Sequence, residues 1–153
     1  MAMVEMMMNE WLRHRAVLPQ ILAQVPAEQV GFQPWEGAMS LGKLTVHTVA
    51  STHFFLSAVA SGEFTPQTPP DVSSMEELMQ IVADYTTKSK SVYESLNDAQ
   101  LSEMLEAKFM KMTLPKQAFL ASMRDHEVHH KGQLYVYARM AGAKEMPFFV
   151  SRG

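Results

Sequence analysis

The sequence predicts an all-α fold, a four-helix bundle formed as one domain over residues 1–153. Four long segments repeat apolar residues at three- and four-residue steps, none alternates convincingly as a strand, and capping or turn-forming residues fall at the segment boundaries. Amphipathic helices of that length bury their apolar stripes by packing on one another.

In the first segment Val4, Met7, Trp11, Leu18, Ile21 and Val25 share a face, and the helix stops near Pro26. A linker holding Pro34 and Gly37 leads to Ser40, placed to cap a second helix that runs to about Ala60 and stops at Ser61-Gly62. The loop with Pro66, Pro69 and Pro70 is a boundary between helices, since neither side could fold alone. Ser74 stands three residues before Glu77, a capping-box spacing, and opens a third helix with Leu78, Ile81, Val82, Tyr85, Val92 and Leu96 on its buried face. Residues 97–112 read as a short helix or an irregular connection. The fourth helix starts after Thr113 with Pro115 in its first turn, where a missing N–H costs little, and Gly142 closes it after Ala141. The tail around Pro147-Phe148-Phe149-Val150 is apolar enough to pack on the bundle or on a second subunit. The order of packing stays open, because the proline-rich loop and the 97–112 connection could each bridge more than one neighbour distance.

Composition narrows the function. Apolar residues make up 47% of the chain, sufficient for a packed core. Thirteen Lys and Arg against sixteen Asp and Glu give a net charge of −3 without a basic block, so neither nucleic acid nor an anionic membrane has electrostatic support as a partner. No apolar run approaches the ~18 residues of a membrane span. The first ten residues carry Glu5, Asn9 and Glu10 and lack the cationic start and continuous apolar stretch of a secretory leader, so a cytoplasmic location is expected. Cysteine is absent, which removes disulfides, zinc–thiolate sites and cysteine nucleophiles together. The fourteen methionines are spread along the chain and read as flexible core filler.

The chemistry lies in His126-Glu127-Val128-His129-His130. The inward stripe of the fourth helix runs Phe119, Met123, His126, His130, Leu134, Tyr137, Ala141, so two imidazoles take places where leucines would ordinarily sit. Four residues advance a helix by about 400°, which sets both rings one turn apart on one face. One such histidine is most often a hydrogen-bonded core residue; two in a stripe favour a shared metal, which satisfies both. His129 lies about 60–100° around the helix and touches the site from outside or faces solvent. Asp125 and Glu127 read as solvated helix charges. A further ligand comes from His47 or His53, which point in different directions on the second helix, or from His14 on the first. Periodicity leaves that choice open.

His126-Glu127-x-x-His130 also fits the H-E-x-x-H zinc-peptidase signature. The extended form would need a glycine at 133 and a histidine at 136, where Gln133 and Val136 stand, so we read the match as a coincidence.

The chain instead resembles, over nearly its full length, the DinB/YfiT-like family of metal-binding four-helix bundles. The resemblance rests on His126-x-x-x-His130-Lys131-Gly132-Gln133-Leu134 running to Gly142, and on Ser40-Leu-Gly-Lys-Leu-Thr-Val-His47. It implies a metal triad of His47, His126 and His130, a bundle with a long crossover connection, a homodimer, and zinc or nickel as the ion. It also implies a small-molecule substrate, since some relatives transfer low-molecular-weight thiols. Three neutral histidines leave a divalent ion its charge and an open position, the arrangement of catalytic sites. With no cysteine in the chain, a thiol must arrive as cosubstrate. Metal-dependent transfer of a small thiol to an electrophile, in detoxification or stress response, is therefore the expected function. Metal-assisted hydrolysis and a non-enzymatic metal- or ligand-binding dimer are the alternatives.

Overall fold

In the computed structural model, which describes residues 1–152, the first apolar segment folds as two helices, α1 (Met3–Arg15) and α2 (Val17–Ala23). Pro19 accounts for the break: it has no N–H for the carbonyl of Arg15, and its ring crowds that carbonyl. The start of α1 is capped from a distance, where the Asp98 carboxylate accepts from the N–H groups of Met3 (3.0 Å) and Val4 (2.9 Å).

The second predicted helix is α3 (Leu41–Ser61), capped by Ser40, whose hydroxyl accepts from the Lys43 N–H at 3.1 Å. Gly62 ends it at φ +90°, a backbone conformation that other residues adopt only with strain. In α4 (Met75–Glu94) half of the expected capping box forms: Ser74 accepts from the Glu77 N–H, while the Glu77 carboxylate accepts from the Ser73 hydroxyl instead of reaching back.

The 97–112 connection is neither a plain helix nor irregular. A 3₁₀ turn over Asp98–Ser102 leads into an antiparallel hairpin of β1 (Met104–Ala107) and β2 (Met112–Pro115), with Leu105 opposite Leu114. Leu105 and Ala107 are buried, Met104 and Glu106 exposed, and four residues hold too little of that alternation to show in the sequence. Pro115 closes β2 and so precedes α5 (Lys116–Met140) instead of lying in its first turn.

Helices α4 and α5 each pack against both α3 and the α1–α2 pair. The α1–α2 pair and α3 are therefore diagonal, as are α4 and α5. The proline-rich loop joins neighbours, whereas the segments 24–40 and 95–115 cross the ends of the bundle.

The interior consists of two apolar clusters. One, around Leu18, Ile21, Leu41, Val49, Leu78 and Ala138, joins α2 to the first half of α3 and the last turns of α5. The other, around Trp11, Leu56, Tyr93, Leu105, Phe119 and Leu120, joins α1 to the second half of α3 and the start of α5. Between them lies a buried polar layer containing Arg15, Thr48, Thr52, Ser89 and Glu127. Among the described residues, no helix is long and apolar enough to cross a membrane.

Candidate metal centre

The one-turn offset on α5 brings His126 and His130 together, with their Nε2 atoms 3.0 Å apart and ring centroids 4.4 Å apart. His47, one and a half turns into α3, faces both across the α3–α5 seam at centroid distances of 5.1 Å and 4.8 Å. One nitrogen from each ring lies within 4.8 Å of the other two, and among the described residues this is the single such group of three. His53 and His14 lie elsewhere. His53 bonds the Ser89 hydroxyl at 3.2 Å and stacks edge-on to Tyr85, while His14 Nδ1 accepts from the buried Lys131 ammonium at 2.7 Å.

All three triad rings are half-buried rather than deep in the interior. Of the expected inward stripe, Phe119, Met123, Leu134, Tyr137 and Ala141 are buried, while the two histidines lie at its edge; Glu127 and Lys131 are the buried positions next to them. Glu127, expected as a solvated charge, is fully buried. Its carboxylate accepts from Arg15 Nε (2.8 Å) and Nη2 (2.6 Å), from Trp11 Nε1 (3.0 Å) and from the Thr52 hydroxyl (2.8 Å). Burial pushes this acid up, but the Arg15 charge and the four hydrogen bonds outweigh it and hold it below the usual carboxylate range. This carboxylate is fully buried and held by Arg15, Trp11 and Thr52, so it is closed to the water that the peptidase reading requires it to activate.

The histidines fit a divalent ion. Burial, reinforced by the neighbouring imidazoles, pushes His126 down to about 4 and lowers His47 as well, so both are neutral and have lone pairs available near neutral pH. His130 donates Nδ1–H to Gln133 Oε1 at 2.7 Å, which leaves its Nε2 as the coordinating atom. The Ser51 hydroxyl lies 3.4 Å from His47 Nδ1 and marks Nε2 of that ring as the inward nitrogen. Nitrogens about 2.0–2.1 Å from one tetrahedral ion stand about 3.4 Å apart, and the 3.0 Å pair is close to that spacing, with all three nitrogens within 4.8 Å of one another. Gln133 was not singled out as a site residue from the sequence, although its place three residues after His130 on the same helix face was the available signal. His129 is exposed, its ring 4.8 Å from that of His130 on the outer side.

Two clefts open beside the triad. One holds His47 with Lys43, Val46 and Asp71; the other holds His130 and Gln133 with Trp35, Val136 and Met140, and Met39 borders both. The centre is therefore reachable, unlike the Glu127 cluster.

A helical bundle with crossing end connections and an open three-histidine group on the α3–α5 seam defines a class of candidate metal-binding bundles. The chain belongs to the DinB family, whose model matches residues 1–152. It is 29% identical over 147 residues to the uncharacterized protein YjoA of Bacillus subtilis (strain 168), covering 94% of each chain. It is 26% identical over 118 residues to the uncharacterized protein YrdA of the same organism, covering 75% of this chain and 66% of that one. The crystal structure of the DinB-like YjoA superposes with a TM-score of 0.83 over 97% of this chain and 99% of that one, at 26% identity. A DinB-like protein of Bacillus cereus ATCC 10987 has the same fold, with a TM-score of 0.80 at 22% identity over 94% and 95% of the two chains.

Proposed function

We propose that His47, His126 and His130 hold one divalent transition-metal ion, zinc or nickel by family resemblance, and that the loaded site transfers a low-molecular-weight thiol to a small electrophile. The observation that carries this reading is the convergence of three imidazole nitrogens, two of them on rings kept neutral by burial, at a position that two clefts reach. When bound, such an ion acidifies a coordinated thiol or water and polarises an electrophile.

The chain's own residues supply the rest. Gln133 fixes the tautomer and aim of His130. His126 must present the lone pair of Nε2, with its proton on Nδ1, for both rings to face one cation. The absence of cysteine assigns the nucleophilic sulfur to a cosubstrate. The His130 cleft is largely apolar, with Trp35 66% and Met140 56% exposed, and suits either an apolar electrophile or the face of a second subunit. A cytoplasmic homodimer is the assembly this reading carries.

Elemental analysis of the untagged protein tests the metal step. About one ion per chain is expected, with much weaker binding in His47→Ala and in His126→Ala. Full occupancy in His47→Ala would remove that residue from the site. A screen of the loaded protein with thiol plus electrophile, and in parallel with esters, tests the chemistry. Turnover of esters alone would make the protein a hydrolase, and no metal-dependent rate with either would leave a binding protein.

A further inference from the structure

The histidine triad lies at one end of a longer feature. The outer face of α3 carries His47, Ser51 and Phe54 at steps of four and three, all part-buried, and the proline-rich loop runs alongside. Three cavities of about 620, 260 and 590 Å³ follow one another along it. Pro69 borders the first and second, and Pro66 and Phe54 border the second and third, so the three form one groove. The end remote from His47 is walled by phenylalanines, with Glu63, Glu106 and Lys108 also lining it. Phe54, Phe64 and Phe109 stand 5.1–5.9 Å apart by ring centroids, and Phe109 remains 58% exposed, an apolar surface that the fold itself leaves uncovered.

We propose that this groove binds an elongated small molecule with a metal-liganding head at the His47 end and a hydrocarbon or aryl tail on Phe54, Phe64 and Phe109. The inference rests on the metal reading for the head and on the groove alone for the tail. The wall explains why the tail is apolar. Pro66, Pro69 and Pro70 carry no N–H, so three positions along this edge lack a backbone donor and present ring methylenes instead. The length also fits: His47 and Phe54 are seven residues apart on one helix, about 10 Å along its axis, the span of a medium-length acyl or alkyl-aryl chain. Cavities of this size are typical of small-molecule sites.

A homologous series of n-alkyl hydroxamates, from acetohydroxamate to the dodecyl compound, titrated into zinc-loaded protein by calorimetry, tests the proposal. Affinity should rise with chain length by up to about fourfold per methylene until the Phe54 pocket is filled, then level off. In Phe54→Ser and, separately, in the exposed-site variant Phe109→Ser, the long members should lose at least tenfold while acetohydroxamate binds as before. Affinity independent of length, or a length dependence that both variants leave intact, would overturn the groove. The two readings fail separately. If acetohydroxamate does not bind but long members do, in a Phe54-dependent way, the groove stands and the metal assignment falls.

Discussion

Two polar clusters lie on adjacent faces of the same turns of α5, and they differ in almost every physical respect. Glu127, with Arg15, Trp11 and Thr52, is sealed between the two apolar clusters, and every polar atom is engaged. His126 and His130, flanking it in sequence, lie half-buried at the seam with His47 and retain nitrogens that no protein donor or acceptor fully occupies. The first arrangement is closed: a buried charge requires full compensation, and a carboxylate with an arginine and two further donors has it. The second is open in the way a binding site must be. One helix thus carries an anchor on its inner face and a candidate site on the adjacent face, and the anchor ties α5 to α1 and α3 at the level where the histidines meet.

Glu127→Ala should break the comparison most severely. It leaves the Arg15 guanidinium, 1% exposed, without its counter-charge in the interior, a situation that costs about 3–5 kcal/mol. Chemical denaturation of the metal-free protein should register a loss of that order. Loss below about 1 kcal/mol would mean that solvent reaches Arg15 and that the cluster is not the anchor described here. His47→Ala in the same assay should change stability by no more than about 1 kcal/mol, because a half-exposed ring leaves little behind.

The contrast also explains what could be read in advance. The His126–His130 pair was legible because its geometry is local: four residues on one helix share a face whatever the rest of the chain does. Their depth was not, since an apolar stripe says which residues face inward only to within one position around the helix. Glu127 looked like a surface charge because its partners Trp11, Arg15 and Thr52 are 116, 112 and 75 residues away in sequence. Nothing near Glu127 announces them. His47 was one of three equivalent candidates by periodicity and was set apart by family resemblance alone; the packing of α3 against α5 now places it by the pair and turns His53 toward α4. Helices α3 and α4 were legible down to the Ser40 and Ser74 caps, whereas the break before Pro19 was missed and the hairpin was lost because its strands are too short to show a period.

Gln133 sharpens the same distinction from the open side. It is an exposed residue whose one polar contact in the site is the 2.7 Å bond to His130 Nδ1. Gln133→Ala should leave the unfolding midpoint unchanged and weaken metal binding about 10–100-fold, the cost of freeing a ligand imidazole from its orienting partner. Competition with a chromophoric chelator measures it directly. Unchanged affinity would show that His130 is aimed by packing alone.

The smallest effect is in the acid response of the metal-free protein. His126 is lowered in the folded state from 6.5 to about 4, chiefly by burial, and His47 moves in the same direction. Between those limits the unfolded chain binds the proton more readily than the folded one, so stability falls as pH falls through this window. The contribution is complete above about 6.5 and gone below about 4. Glu127 is also lowered, so its share is lost as well on acidification, but below the ordinary carboxylate range and hence further down the acid limb. Denaturant midpoints in chelating buffer should therefore decline in two stages, and His126→Ala should flatten only the upper one. A variant with an unaltered slope between pH 4 and 6.5 would show that this ring is solvated enough to titrate normally, and would remove the burial that keeps it ready for a cation.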